Sequence, residues 1–205
     1  MNIAETLKII DDHAKNLKAE RDIDIPKTIN ELNEIPEKDF NSFLQKVNSK
    51  EYTVIVFNQG DIYGFFDFIA PTTQKAIKST IKYLPYMAAI SAALFGLISE
   101  NYILIASLII PFISGFLTGF IKVGFITVLI LIGLVVYFFV NENTVGFSFM
   151  IVWTISILLT RFIRYYVQNI LLQLSLSDEK IFSLLYYSRL LRLIDSTRDE
   201  LIYSK

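Results

Sequence analysis

Asp11, Asp12 and His13 are the one place in this 205-residue chain where acids and a histidine adjoin. The chemistry such a trio could do is metal binding or proton transfer. Consecutive positions on a helix point in different directions, so the three cannot converge on one ion or one substrate, and they read as a solvated face. His13 is the sole histidine and cysteine is absent, which excludes multi-histidine metal sites, disulfides and thiolate chemistry. No GxxxxGK[ST] or GxGxxG phosphate loop occurs, and no GxSxG nucleophile turn. Glu100 and Glu142 each stand without a basic or histidine companion nearby. The expectation is a protein that is not an enzyme and holds no cofactor and no metal. The net charge of −1 argues against a nucleic-acid partner.

A second pattern is polar but not catalytic. PFISGFLTGFIK, residues 111–122, lies inside an apolar stretch yet carries proline, glycines, serine and threonine. Ser107, Pro111, Ser114, Thr118 and Lys122 are spaced by four, three, four and four, which aligns them on one helical face. Gly115 and Gly119 form a GxxxG pair beside them, and Ala88, Ala92 and Gly96 repeat every four residues upstream. Small residues let membrane helices approach closely, and hydroxyls can bond across them or to carbonyls freed by a proline. One reading is therefore tight helix packing with Pro111 bending its helix. The other is a weakly polar path, which Trp153, Ser156, Thr160 and Arg164 would extend on a further helix. No ionisable residue lies in the middle of the apolar segments, and the halves do not repeat, so an ion-coupled transporter is not expected.

These residues must be positioned by four apolar segments, at about 82–99, 102–121, 123–140 and 145–163, each long enough to cross roughly 30 Å of hydrocarbon as a helix. The third, rich in Leu, Ile, Val and Phe, suits lipid contact. Lys75, Lys78 and Lys82 precede the first segment, Lys122 follows the second, and Arg161 and Arg164 close the fourth. The turns at Glu100–Asn101 and 141–144 hold no basic residue. This alternation places both termini in the cytosol. The charged start, MNIAETLKIIDDHAKNLKAER, has no signal-peptide pattern. Short turns make neighbouring helices antiparallel. The expected location is a cell membrane of the bacterial inner-membrane type.

Residues 1–70 read as a small cytosolic α+β domain. Ile3, Leu7, Ile10, Ala14 and Leu17 make an amphipathic helix, read as a core stripe or a dimer seam. Short helices are expected from Pro26, with Ile29 and Leu32 inward, and from near Pro36, with Phe40, Phe43, Leu44 and Val47 on one side. Tyr52–Phe68 reads as a β-hairpin turning at 58–61. Residues 71–164 form the membrane domain. The fourth span is expected to run on beyond Arg164, and Ser177 with Asp178 and Glu179 marks a new helix start. That last helix is expected to continue to Ile202, and Tyr186, Tyr187, Arg189 and Arg192 are its candidate partner surface. Residues 1–70 hold 8 basic and 13 acidic residues, net −5. Residues 161–205 hold 7 and 5, net +2. The opposite signs favour docking of the C-terminal region, 165–205, on the N-terminal domain. The alternative is that the basic, aromatic helix lies on anionic lipid.

The fold class so implied is a mainly α integral membrane protein. It has four antiparallel transmembrane helices, a small N-terminal cytosolic α+β domain and C-terminal cytosolic helices. The layout is similar to small membrane subunits of bacterial anti-phage systems, and equally to many membrane scaffolds and channel subunits; the likeness is one of organisation. The expected partners are the lipid bilayer, further copies of the chain and a cytosolic protein. The expected function is a homo-oligomeric membrane anchor, scaffold or sensor subunit. The alternative is an oligomeric channel or regulated membrane-permeabilising effector.

Overall fold

The computed structural model describes residues 3–21, 26–57, 62–114, 125–198 and 200–202. The chain divides into two compact units. One is discontinuous, Met1–Lys75 with Tyr166–Lys205, and the other is Ala76–Tyr165. The two ends of the chain, expected as separate regions at 1–70 and 165–205, thus build a single unit. The elements are mostly helical: α1 (Ile3–Arg21), α2 (Phe40–Asn48), β1 (Tyr52–Val56), α3 (Ile62–Ile69), α4 (Thr72–Ile98), α5 (Tyr102–Ser114), α6 (Phe125–Val140), α7 (Thr144–Ser177), α8 (Glu179–Tyr187), β2 (Leu191–Asp195) and β3 (Glu200–Ile202).

In the discontinuous unit the sheet order is β1-β2-β3, antiparallel throughout. This corrects the expected hairpin. The turn at 58–61 lies outside the described residues, but the segment after it is helix α3, not a strand. Its buried residues, Ile62, Phe66 and Ile69, are spaced four and three apart, a helical period that outweighs the aromatic preference for strands. The partner of β1 comes from the far end of the chain: Tyr52 faces Asp195, Val54 faces Leu193 and Val56 faces Leu191.

The expected helix through Ile202 is corrected in the same way. Asp178 caps α8, its carboxylate accepting from the Lys180 N–H at 2.9 Å, with Glu179 in the first turn. The helix stops at Tyr187. Arg189 adopts φ 59°, its N–H donates to the Tyr186 carbonyl, and the Leu190 N–H reaches back to Leu185. These two bonds form a Schellman closure, which usually has glycine at the left-handed position. Beyond it Leu191 and Leu193 are buried while Arg192 and Ile194 are half-exposed, the period-two pattern of a strand. The same closure ends α2 at Lys50 (φ 64°), α4 at Glu100 (φ 54°) and α6 at Glu142 (φ 54°). All four left-handed positions carry a charged residue. Exchanging one for glycine removes the Cβ penalty of that conformation, so Arg189→Gly is expected to raise stability by up to about 1 kcal/mol, read by urea unfolding. A loss of stability would mean that the Arg189 side chain does more than occupy the turn.

The core of this unit is built from both chain ends. Phe43 lies 4.7 Å, centroid to centroid, from Phe182, which stacks on Tyr186. Ile29, Ile35, Phe66, Leu171, Leu174 and Ile181 are fully buried around the unit. Residues from Pro26 onward make a single 3₁₀ turn, Ile29–Glu31, rather than a helix, though Ile29 and Leu32 do face inward. The helix expected near Pro36 begins at Phe40, because Asp39 caps it by accepting from the Ser42 N–H at 2.9 Å. On α1, Ile10 is buried and Leu7 and Ala14 are half-buried. Thr6 donates to the Ile69 carbonyl at 2.8 Å, Asp11 pairs with Lys180 at 3.3 Å, and the Ile29 N–H donates to Glu179 at 2.7 Å. The last two of these bonds, with the apolar packing, hold residues 165–205 against residues 1–70.

Two helices that lie mainly in the second unit, α4 and α7, are long and apolar enough to cross a membrane, at 27 and 34 residues. α7 runs on past the expected end of its span, to Ser177. The segment expected as one α-helix over 102–121 opens instead as a 3₁₀ helix, Tyr102–Ile109, and turns α-helical from residue 110. α6 provides 16 residues of the third apolar segment, about 24 Å of helix.

Candidate functional site: a small-residue seam between apolar helices

The sequence motif most open to a functional reading is the stripe of small and hydroxyl residues. Gly115, Thr118, Gly119 and Lys122 lie outside the described residues. The rest form a seam inside the Ala76–Tyr165 unit. Ser107, Pro111 and Ser114 are all buried, as is Leu104 one turn earlier. On α4 the buried set is Lys78, Pro85, Ala89, Ala93 and Gly96, the last four of which line the seam. The expected set was Ala88, Ala92 and Gly96; Gly96 is shared, while Ala88 and Ala92 are only half-buried. The seam therefore sits one residue further round the helix than the sequence pattern implied.

Close approach is direct at two points. Ser107 donates its hydroxyl to the Ala89 carbonyl at 3.0 Å, a bond from one helix to the backbone of another. A Cβ placed on Gly96 would stand 2.6 Å from the Leu104 Cβ and 2.8 Å from the Asn101 carbonyl oxygen, so only glycine fits without displacement. Ala89, Ile110 and Val152 then form a buried cluster, against which Ala92, Phe149 and Trp153 pack. Three apolar segments meet there: α4, α5 and α7.

The hydroxyls of the polar face expected on α7 bond within their own helix. Ser156 is buried and donates to the Val152 carbonyl at 2.7 Å, and Thr160 donates to the Ser156 carbonyl at 2.7 Å. Each hydroxyl is taken up by its own helix four residues back. Arg164 is half-buried and has an interaction partner within the structure.

The faces turned away from the seam are large and apolar. Tyr83, Met87, Leu94 and Ile98 on α4, and Ile103 and Phe112 on α5, are each about half or more exposed. Burying one such side chain is worth about 1.5–3 kcal/mol. A unit that leaves many of them outward and puts its alanines, glycine and serines inward is arranged oppositely to a protein folded in water.

The candidate partner surface is broken up by the structure. Tyr186 is fully buried, stacked on Phe182, and its hydroxyl donates to the Ile202 carbonyl at 3.4 Å. Burial pushes its phenol well above the ordinary tyrosine range. It is core, not surface, because it lies on the buried face of α8, one turn from Phe182 in the aromatic cluster. Tyr187 and Arg189 are exposed, and Arg192 is half-exposed on β2 with its guanidinium over the Phe57 ring. A single helical face carrying all four does not exist.

One buried polar group was not legible in advance. Glu37 is buried, accepts from the Tyr52 hydroxyl at 3.0 Å and pairs with Lys46 at 2.5 Å. The hydrogen bond to Glu37 raises the Lys46 ammonium, and burial together with Glu37 raises the Tyr52 phenol. Lys46 and Tyr52 also border a surface pocket of about 190 Å³ lined by Pro36, Glu51, Asp195, Thr197 and Arg198. Acids and bases there pair with one another, as Arg198 does with Asp195 at 4.0 Å. His13 sits half-buried, edge-on to the Phe68 ring at 4.7 Å. Among the described residues, no group of three or more His, Asp or Glu side chains is placed to hold a metal ion.

Fold and site together define a class: a mostly helical chain with a small three-stranded sheet and two helices long and apolar enough to cross a membrane. In comparisons with protein-family models, curated proteins and solved structures, nothing matches the chain.

Proposed function

We propose that the chain is a multi-pass membrane anchor of scaffold or sensor type. It assembles as a homo-oligomer, keeps both termini on the cytosolic side, and uses the unit built from its two ends to recruit a protein partner. In this reading all four apolar segments cross the bilayer. The observation that carries it is the inverted packing of the second unit, with Ser107, Ala89 and Gly96 inside and Met87, Leu94, Ile98 and Phe112 outside. The folded unit built from the two chain ends supports recruitment, since it offers a protein surface outside the apolar segments. The channel reading loses support, because the hydroxyls of Ser107, Ser156 and Thr160 are engaged inside one chain.

The test has two parts. Membranes from cells expressing the chain are washed with alkaline carbonate, and the pellet is expected to retain the protein. Loss to the supernatant sinks the membrane reading. The washed protein is then captured from mild detergent with and without cytosolic extract. Recovery of the chain alone, under every growth and stress condition tried, counts against recruitment.

A further inference from the structure

Strand β1 is an edge strand, and its backbone pairing can be read residue by residue. The Phe57 N–H donates to the Leu190 carbonyl at 2.7 Å, and the Ser196 N–H donates to the Glu51 carbonyl at 2.7 Å. In an antiparallel ladder hydrogen-bonded residues alternate, so Glu51, Thr53, Ile55 and Phe57 face β2 with their backbone groups. Tyr52, Val54 and Val56 turn theirs the other way. Among the described residues, no strand lies on that side. Three N–H and three C=O groups thus form a ready template. The strand itself carries no blunting residue: YTVIV contains no lysine, proline or glycine, and its side chains alternate buried and exposed in register.

We propose that β1 pairs antiparallel with β1 of a second copy of this chain, about a two-fold axis at Val54. In that register Val54 meets Val54 of the other copy and Tyr52 meets Val56, so all six outward backbone groups of each strand are paired. Side-chain alternation stays in phase: Tyr52, Val54 and Val56 continue both cores, while Thr53 and Ile55 lie opposite each other on the outer face. The result is one six-stranded sheet across two chains, an isologous contact of the kind two-fold symmetry requires. Interface size argues for a second copy over a freely diffusing partner. Five residues a side fall far below the roughly 20–30 a side of a stable interface. Copies held in one bilayer meet at high effective concentration, and a short strand pair then suffices. The inference rests in this respect on the membrane reading.

The absence of cysteine makes the register directly testable. Thr53→Cys is placed in a chain with one tag and Ile55→Cys in a chain with another; both positions are exposed. Across the proposed axis residue 53 is a non-hydrogen-bonded neighbour of residue 55, with Cα atoms about 4.5 Å apart, within disulfide reach. Residue 53 to residue 53 is about 8 Å, and 55 to 55 likewise, beyond that reach. The two chains are co-expressed, membranes are oxidised mildly, and the carbonate-washed pellet and the supernatant are each examined. The mixed-tag disulfide dimer is expected to exceed either same-position dimer by about tenfold. Equal yields for all pairings, or no dimer at all, overturn the proposal in whichever fraction holds the protein. Protein in the supernatant overturns the membrane reading separately, and the disulfide pattern there still decides whether β1 edges pair.

Discussion

Gly96→Ala destabilises the Ala76–Tyr165 unit by about 1–3 kcal/mol, whereas Gly133→Ala leaves it unchanged or slightly more stable. Both changes add one methyl group to an apolar helix, so propensity alone predicts a small gain for each. The surroundings differ. Among the described residues, nothing lies within 4 Å of the position a Cβ would take at Gly133. At Gly96 the new carbon meets the Leu104 Cβ at 2.6 Å and the Asn101 carbonyl at 2.8 Å. Neither can yield cheaply. The Asn101 carbonyl accepts from the Leu104 N–H at 3.1 Å, and the Asn101 N–H closes α4 by donating to the Gly96 carbonyl at 2.8 Å. Separating α4 from α5 breaks that closure and loosens the Ser107 bond to Ala89. Losing that bond alone, in Ser107→Ala, costs less, about 0.6 kcal/mol for an average bond within a membrane. The expected order of stability, measured by thermal unfolding in detergent, is Gly133→Ala, then Ser107→Ala, then Gly96→Ala. Equal behaviour of the two glycine variants would mean that the backbones are not in contact at Gly96.

The order of those effects could not have been written from sequence, and the reason is specific. The expected stripe Ala88–Ala92–Gly96 and the observed stripe Ala89–Ala93–Gly96 are both sets of small residues. Alanine pairs occupy 88–89 and 92–93. Composition shows that α4 has a small-residue face but not its phase, which depends on where Leu104 and Ser107 arrive. Helix ends were obscured for a different reason. Glycine is the usual stop signal, and here Lys50, Glu100, Glu142 and Arg189 hold the left-handed position instead. At Glu100 and Glu142 the polar break between apolar runs compensated. At Arg189 it did not, because RLLRLID carries enough leucine to extend a helical pattern. Strand β2 was lost with it, and β1, lacking its true partner, was paired with the nearest aromatic run. The helix start near Ser177 and the buried Ile10, Ile29, Leu32 and Phe43 were legible, since each depends on neighbours within one or two turns; the cap itself is Asp178, one residue past Ser177, which still belongs to α7.

Opposite net charge suggested that the C-terminal region docks on the N-terminal one, but the bonds between them are few. Lys180 with Asp11 is part-exposed at 3.3 Å, and such a pair is worth under about 1 kcal/mol. What unites the two ends is the aromatic cluster and the shared sheet. Charge pointed to the right neighbours through a minor part of the interaction.

The weight of that cluster sets the last expected result. Phe182→Ala lowers the stability of the discontinuous unit by about 3–5 kcal/mol, the usual range for emptying a buried phenylalanine site. Phe182 is fully buried, with ring centroids 4.7 Å from Phe43, 5.9 Å from Tyr186 and 6.0 Å from Phe40. It stands on α8, while Phe40 and Phe43 stand on α2, so its removal empties the join between the chain ends. A domain of this size has about 5–15 kcal/mol in all, so the variant should lose a large part of it. Phe40 is only half-buried, and Phe40→Ala should cost clearly less. The double variant Phe43→Ala with Phe182→Ala should fall short of the sum of the singles by about 0.5–1.5 kcal/mol, the coupling of an aromatic pair in contact. Urea unfolding followed by near-ultraviolet circular dichroism reads all four. A loss below about 1 kcal/mol for Phe182→Ala would show that the two chain ends fold without each other, and the discontinuous unit would then be two.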